Sequence, residues 1–428
     1  MAFSPALAAY LAASRLAGPL ARLVLARRAA RGREDPARLA ERLGRAGAAR
    51  PPGRLVWLHG ASLGEALSML PLIAELRRQV PDATCLVTTG TVASARRMAA
   101  LLPPGCLHQF APVDTAAAVR GFLGHWRPGL ALWVESEFWP RLMVETARRG
   151  VPMALVNARV SARSARAWAW VPGMAAVLVR LFASITAQDA ETVARLTAMG
   201  ADPARLRAGA NLKVLAPAPD CDPAELERLR GLLGGRPVWL AASTHAPEEE
   251  AVAEAHRLAA RRLPGLLTIL APRHPARGGA IAEMLVGRGL ACARRSAGEP
   301  LGAATEIWLA DTFGEMGLWF RLAPVSFVGG SLAALGGHNP FEPAALGSAI
   351  LHGPHTRNFG PAYAALIAAG ASRRVTDGAA LGRAVAGLMA DPAARAAMTG
   401  AAGAVRRDLS PDIVAQAAAL LALTGAGA

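Results

Sequence analysis

His59-Gly-Ala-Ser-Leu-Gly-Glu65 runs from an apolar pentad into an Ala- and Leu-rich stretch, so it reads as a strand, a glycine-rich turn and a helix start. Glu65 then sits in the first helical turn, where a carboxylate can accept a proton from a hydroxyl within hydrogen-bond reach. Such a carboxylate also complements the helix dipole, which places Glu in first turns routinely. The same residues spell Gly60-x-Ser62-x-Gly64, the nucleophile-elbow pattern of serine hydrolases, and that rival predicts a different reaction class. Against it, an elbow normally follows several strands, whereas at most one strand can precede residue 55.

Trp133-Val-Glu135-Ser-Glu137-Phe-Trp139-Pro140 sets two carboxylates at the end of an apolar run, just before a helix opened by proline. Either a structural pairing with Arg or a catalytic role fits them. Ala210-Asn-Leu-Lys213 carries the only Lys of a chain whose other basic residues are all Arg. It is a compact ammonium where the composition otherwise supplies guanidinium, and chance survival is the alternative. Asn is similarly scarce, occurring at 157, 211, 339 and 358 alone, each inside a motif taken up here or below.

Four more polar clusters follow apolar runs in the second half. They are Ala242-Ser-Thr-His-Ala-Pro-Glu-Glu-Glu250, Ala271-Pro272-Arg273-His-Pro275, Asp311-Thr-Phe313-Gly314-Glu315 and the Gly-rich Gly329-to-Glu342 segment ending Asn339-Pro340-Phe341-Glu342. Arg273 offers a guanidinium fork for a phosphate. The N–H groups of the Gly-rich segment and the helix after it also suit a phosphate, and Glu342 suits the hydroxyls of a ribose. Polar clusters at successive strand ends predict a nucleotide site. The His residues are scattered and no H-E-x-x-H appears, so no metal is expected; Asp220-Cys-Asp222 reads as a solvated linker pair.

The elements that must position these residues alternate as short apolar runs and Ala-rich helical stretches. Residues 54–59, 84–89, 130–134, 151–157 and 184–187 read as buried strands, and after the Pro-rich 216–223 the pattern restarts at 238–242, 266–271, 306–309, 325–328 and 349–352. That predicts an α/β fold of two doubly wound parallel-sheet domains facing a cleft, one over 27–216 and one over 217–428. With 428 residues and 53% apolar residues each domain can bury its own core. The four Cys form no C-x-x-C pair, which excludes zinc ribbons and dithiol redox motifs and makes a reducing compartment the default.

Net charge is +16, and residues 1–50 hold ten Arg against three acidic residues. Arg15, Gly18-Pro19 and Arg22 interrupt any apolar run of the roughly 18 or more residues a membrane span needs, and no secretory signal pattern is present. Phe3, Leu7, Tyr10, Leu11, Leu16, Leu20, Leu23 and Val24 beside these arginines suit a segment, residues 1–26, lying in an anionic membrane interface; packing on the domain is the alternative. The apolar residues have no role in a nucleic-acid arm, so no nucleic-acid partner is expected.

Taken together the motifs resemble one family, the 3-deoxy-D-manno-octulosonic acid (Kdo) transferases of lipopolysaccharide synthesis. The resemblance runs in order from Glu41-Arg-Leu-Gly44 through His59-to-Glu65, Glu135-Ser-Glu-Phe-Trp-Pro140, Asn157-to-Arg163, Asn211-Leu-Lys213, Ser243-Thr-His245, Pro272-to-Pro275, Gly314-Glu315 and Gly336-to-Pro343 to Gly353-Pro-His355 and Asn358-Phe359. It implies a glycosyltransferase-B fold with 27–216 binding the acceptor and 217–428 the CMP donor, and metal-free, inverting transfer of Kdo from CMP-Kdo to lipid IVA, at the cytoplasmic face of the bacterial inner membrane. By motif, Glu65 matches the family's proton acceptor, and Glu135 and Lys213 match its transition-state stabilisers. Pro272 and Arg273, Phe313, Gly314 and Glu315, and Asn339, Pro340, Phe341 and Glu342 match its CMP-binding segments. Phe313 stands where Met is usual, and Val214-Leu215 replaces Phe-Asp.

Overall fold

The computed structural model describes residues 4–209, 211–410 and 413–425; Phe3 and Ala210 lie outside the described residues. The chain divides into two compact units, Met1–Pro217 with Ser410–Ala428, and Ala218–Leu409.

The first unit is a seven-stranded sheet of β1 Leu55–His59, β2 Thr84–Thr89, β3 Leu107–Phe110, β4 Leu130–Val134, β5 Met153–Ala158, β6 Ser184–Ala187 and β7 Leu206–Ala208, in the order β3-β2-β1-β4-β5-β6-β7. Its pairings are parallel, so each strand returns through a crossover, usually a helix, and helices cover both faces. Period-two alternation assigns the side chains: Leu55 and Trp57 enter one core with Phe122 and Trp133, while Val56 and Leu58 enter the other with Ile73 and Leu76. The second unit repeats the plan with β8 Val238–Thr244, β9 Leu267–Pro272, β10 Cys292–Arg294, β11 Ile307–Leu309, β12 Val325–Val328, β13 Ala349–His352 and β14 Ser372–Arg374. Their order is β10-β11-β9-β8-β12-β13-β14, again parallel. In each unit the order turns back beside the first strand, between β1 and β4 and between β8 and β12, and such switch points collect ligands at the strands' carboxyl ends.

The helix Ile413–Ala422 lies on the helix Leu63–Gln79 and buries Ala417 and Leu420 in that core, so this last segment packs with the first unit although it follows the second in sequence. At the other end the helix Pro5–Leu16 packs on the helices Ala116–Trp126, Pro140–Arg148 and Pro172–Val179. The Tyr10 hydroxyl donates to Asp114 at 2.8 Å and Arg141 Nε donates to Ser14 Oγ at 2.8 Å, so this helix is an integral part of the domain. The following helix, Gly18–Ala30, buries only Leu25, and Leu16, Leu20, Leu23 and Val24 are 83, 64, 47 and 45% exposed. Among the described residues no helix is long and apolar enough to cross a membrane.

Candidate active site

At the switch point of the first unit, β1 ends in the Gly60–Ser62 turn and the helix Leu63–Gln79 begins. Ser62, extended at φ −109°, ψ 165°, is the N-cap: its Oγ accepts the Glu65 N–H at 3.3 Å and donates to Glu65 Oε1 at 2.7 Å. The Ala61 N–H holds the other oxygen at 2.7 Å. Burial pushes the Glu65 carboxyl above the ordinary glutamate range, with Glu135 and Glu137 adding to the rise, while the Ser62 hydroxyl and Ala61 N–H oppose it. A positioned carboxylate of raised basicity is suited to proton abstraction. The geometry removes the hydrolase reading, because Ser62 is a helix cap bonded to a carboxylate rather than the nucleophile of a strained elbow paired with His.

Glu135 follows β4, and its Oε1 accepts from Lys213 Nζ at 2.5 Å, so its partner is the chain's one Lys rather than an Arg. Glu135 has φ 63°, and Asn157 near the end of β5 has φ 54°. Left-handed backbone at a non-glycine residue costs roughly 1–2 kcal/mol, less for Asn, and is kept where surroundings over-determine it. Those surroundings are visible here. Asn157 Oδ1 accepts the Leu212 N–H at 3.0 Å, and Gln188 bridges the Asn157 carbonyl at 2.9 Å to the Asn211 amide at 3.1 Å. Asn211 in turn caps the short turn by accepting the Lys213 N–H at 2.9 Å. Thus two of the four scarce Asn fix the backbone that presents Lys213, and Gln188, which no motif had marked, joins them.

In the second unit the Gly-rich loop departs from expectation. The N–H groups of Gly330, Ser331, Leu332 and Ala333 all donate to Glu248, at 2.7, 2.9, 2.9 and 3.2 Å, as does His245 N–H at 3.0 Å. The anion in this nest is a fully buried side chain of the protein itself, so these N–H groups are not open to a phosphate. Several side chains around this loop remain for a ligand. Arg273 follows β9 with an exposed side chain, its own N–H on the Thr244 carbonyl at 3.0 Å. Glu342 is half-buried in the first turn of the helix Phe341–Ala345; burial raises its carboxyl, while Asn339 and Arg273 lower it. Asn339 Oδ1 accepts the Phe341 N–H at 3.1 Å, and Asn358 holds the Leu335 and Gly337 carbonyls at 2.9 and 3.1 Å, completing the four scarce Asn as backbone clamps. Pro340 and Phe341 are buried, and Gly314 turns the chain at φ 85° so that Phe313 stands 83% exposed. Glu315 accepts from Arg295 at 2.7 Å, and Arg295 also pairs with Glu225 at 2.7 Å. Asp222 of the linker caps the helix Pro223–Leu233. Among the described residues no group of three or more His, Cys, Asp or Glu is placed to hold a metal ion.

Two parallel doubly wound units, each with its own switch point, make up a fold of the glycosyltransferase-B type. HepE of Anabaena, solved with UDP-glucose, is similar at TM-score 0.58 and 14% identity over 86% of this chain and all of that one, which bears on fold alone. A family model described as 3-deoxy-D-manno-octulosonic-acid transferase matches residues 37–216. Curated 3-deoxy-D-manno-octulosonic acid transferases are similar over most of their length: that of Bordetella pertussis at 39% identity over 86% of this chain and 89% of its own, and that of Haemophilus influenzae at 33% over 77% and 78%. The probable mitochondrial one of Arabidopsis thaliana is 35% identical over 80% and 78%. The chain belongs to the Kdo transferase family of glycosyltransferases.

Proposed function

We propose that this protein transfers Kdo from CMP-Kdo to lipid IVA with inversion and without a metal, at the cytoplasmic face of a bacterial inner membrane. The observation that carries the mechanism is Glu65, fixed by its own turn and raised in basicity by burial. In this reading Glu65 takes the proton of the attacking sugar hydroxyl as the new ketosidic bond forms and the bond to the CMP phosphate breaks. Lys213 spends one N–H on Glu135 and keeps two for charge that develops in the transition state. Arg273, Asn339 and Glu342 are the donor-side groups, and Phe313, two residues before Glu315, offers an exposed ring. Leu16, Leu20, Leu23 and Val24 would meet the bilayer, since leaving such side chains in water forgoes about 1.5–3 kcal/mol each when fully exposed, and Arg15, Arg22 and Arg27 beside them suit anionic headgroups.

The test is to incubate the purified protein with lipid IVA and a CMP-Kdo generating system in the presence of EDTA and weigh the lipid product. The expected result is a gain of one or more Kdo residues. No gain with or without EDTA removes the reading, and a gain that EDTA blocks and one divalent ion restores removes its metal-free part.

A further inference from the structure

Three histidines at the strand ends of the second unit take no part in the steps above. His245, directly after β8, and His338, in the loop after β12, stack with ring centroids 5.4 Å apart, planes 10° apart and Nε2 atoms 3.1 Å apart. His274, after β9, stands edge-on to His245 at 5.7 Å. β8 and β12 are the neighbours between which the strand order turns, so the pair occupies the ligand-collecting point of this sheet.

The main chain that carries both rings is fixed by hydrogen bonds of its own N–H and carbonyl groups. Glu248 accepts the His245 N–H, the Tyr363 hydroxyl donates to the His338 carbonyl at 2.9 Å, and the His338 N–H donates to the Gly329 carbonyl at 3.2 Å. A Cβ on Gly330, whose φ is +68°, would come within 3.1 Å of the His338 ring. Two Nε2 atoms at this distance can share one proton and no more, since one of them must accept. The backbone nest that would ordinarily receive a phosphate at such a turn is closed by Glu248, so a phosphate arriving here meets Arg273 and imidazoles instead.

We infer that the His245–His338 pair takes up a proton when a phosphate-bearing ligand binds at this switch point and returns it to solvent when the phosphate departs. The inference rests on the nucleotide-donor reading above and deepens it. With no ligand the pair is neutral: burial pushes the His338 imidazole down to about 4, Arg273, His245 and His274 acting in the same direction. Burial lowers His245 as well, and of the titratable and charged groups facing it Glu248 favours a proton while His274, Arg273 and Arg277 disfavour one. An opposite charge within about 4–6 Å moves an ionisation by roughly one to three pH units, so a phosphate dianion brings the pair into the neutral range. A protonated pair then holds a charge-assisted donor on the phosphate as its bond to the sugar breaks and its charge grows.

The experiment is calorimetric titration of CMP into the full chain near pH 7, in two buffers of low and high ionisation enthalpy, with cytidine as the phosphate-free control. Proton uptake is expected with CMP and not with cytidine. His338→Gln and His245→Gln should bind cytidine like the parent protein, which reports their folding, lose most of the buffer-dependent heat and bind CMP at least about 10-fold more weakly. Uptake unchanged in both variants would put the proton on the phosphate and overturn the inference, as would CMP binding without uptake in the parent protein. No CMP binding by the parent protein overturns the donor reading and this inference with it.

Discussion

Replacing Glu65 by Gln removes one proton acceptor and little else. The Gln carbonyl oxygen can keep the Ala61 N–H that Oε2 now accepts at 2.7 Å, and the Ser62 hydroxyl, which donates to Oε1 at 2.7 Å, can turn to accept from the amide. A lost general base costs about 100- to 10,000-fold in turnover, which at 1.36 kcal/mol per decade is about 2.7–5.4 kcal/mol of transition-state stabilisation. The groups assigned to the nucleotide all lie beyond residue 240, so CMP affinity should be unchanged. The pH dependence has a definite sign. The folded carboxyl ionises at higher pH than the unfolded one, so its ionisation opposes folding above the unfolded value, and the penalty is complete above the folded value. Gln carries no such penalty, so the Tm of the variant relative to the parent should rise between about pH 4 and pH 7. The parent's turnover should fall on the acid side at a higher pH than an ordinary glutamate near 4.3 would give. Steady-state transfer with a mass-resolved lipid product, and calorimetric melting at the two pH values, check both halves. Turnover within about threefold of the parent would refute the role of Glu65.

Ser62→Ala should lose a helix cap worth about 1 kcal/mol, read as a lower Tm, while keeping turnover within about tenfold; abolished activity with an unchanged melt would restore the nucleophile reading. Lys213→Arg keeps the charge, but a longer planar fork cannot occupy the 2.5 Å contact with Glu135 on the same backbone, so turnover should fall about 10-fold or more, at least ~1.4 kcal/mol, with CMP binding retained. Full activity in a steady-state assay would make Lys213 a compositional survivor. Changing Leu16, Leu20, Leu23 and Val24 together to Ser should abolish co-sedimentation with anionic vesicles without changing the melt, because none of the four enters the core; undiminished binding would put the membrane contact elsewhere. Deleting residues 1–26 is the poorer test, since it also strips Leu7, Tyr10 and Ser14 from the first unit.

The central strands were legible because a parallel strand buried on both faces reads as a near-continuous apolar run, as Leu55-Val-Trp-Leu58 and Val238-Trp-Leu-Ala-Ala242 do. The four strands absent from the reading, β3, β7, β10 and β14, are the four sheet edges. An edge is paired on one side and partly solvated, so Leu107-His-Gln-Phe110 and Ser372-Arg-Arg374 carry no such signal. The Glu65 turn was legible as well, since cap, turn and carboxylate lie within seven residues. Glu248 was visible only as one of three acids in a first helical turn, because its partners lie more than eighty residues onward and chemistry across a sheet leaves no local spacing. Gln188 escaped for the same reason: it joins Asn157 to Asn211 across the ends of the strands.

The return of the chain to the first unit has a consequence for the order in which this protein is made. At about 5–20 residues per second a ribosome needs roughly 10–40 seconds to synthesise Ala218–Leu409 before the helix Ile413–Ala422 can emerge. Until then the apolar strip on Leu63–Gln79 that will receive Ala417 and Leu420 is bare, and Gln79 lacks the Val414 carbonyl to which it donates at 2.9 Å. The helix left waiting is the one whose first turn carries Glu65, so a nascent chain completes its second unit while the unit bearing Glu65 is still open to chaperones and proteases. A frameshift just ahead of Ile413 would accordingly injure the earlier-made unit and spare the one made just before it.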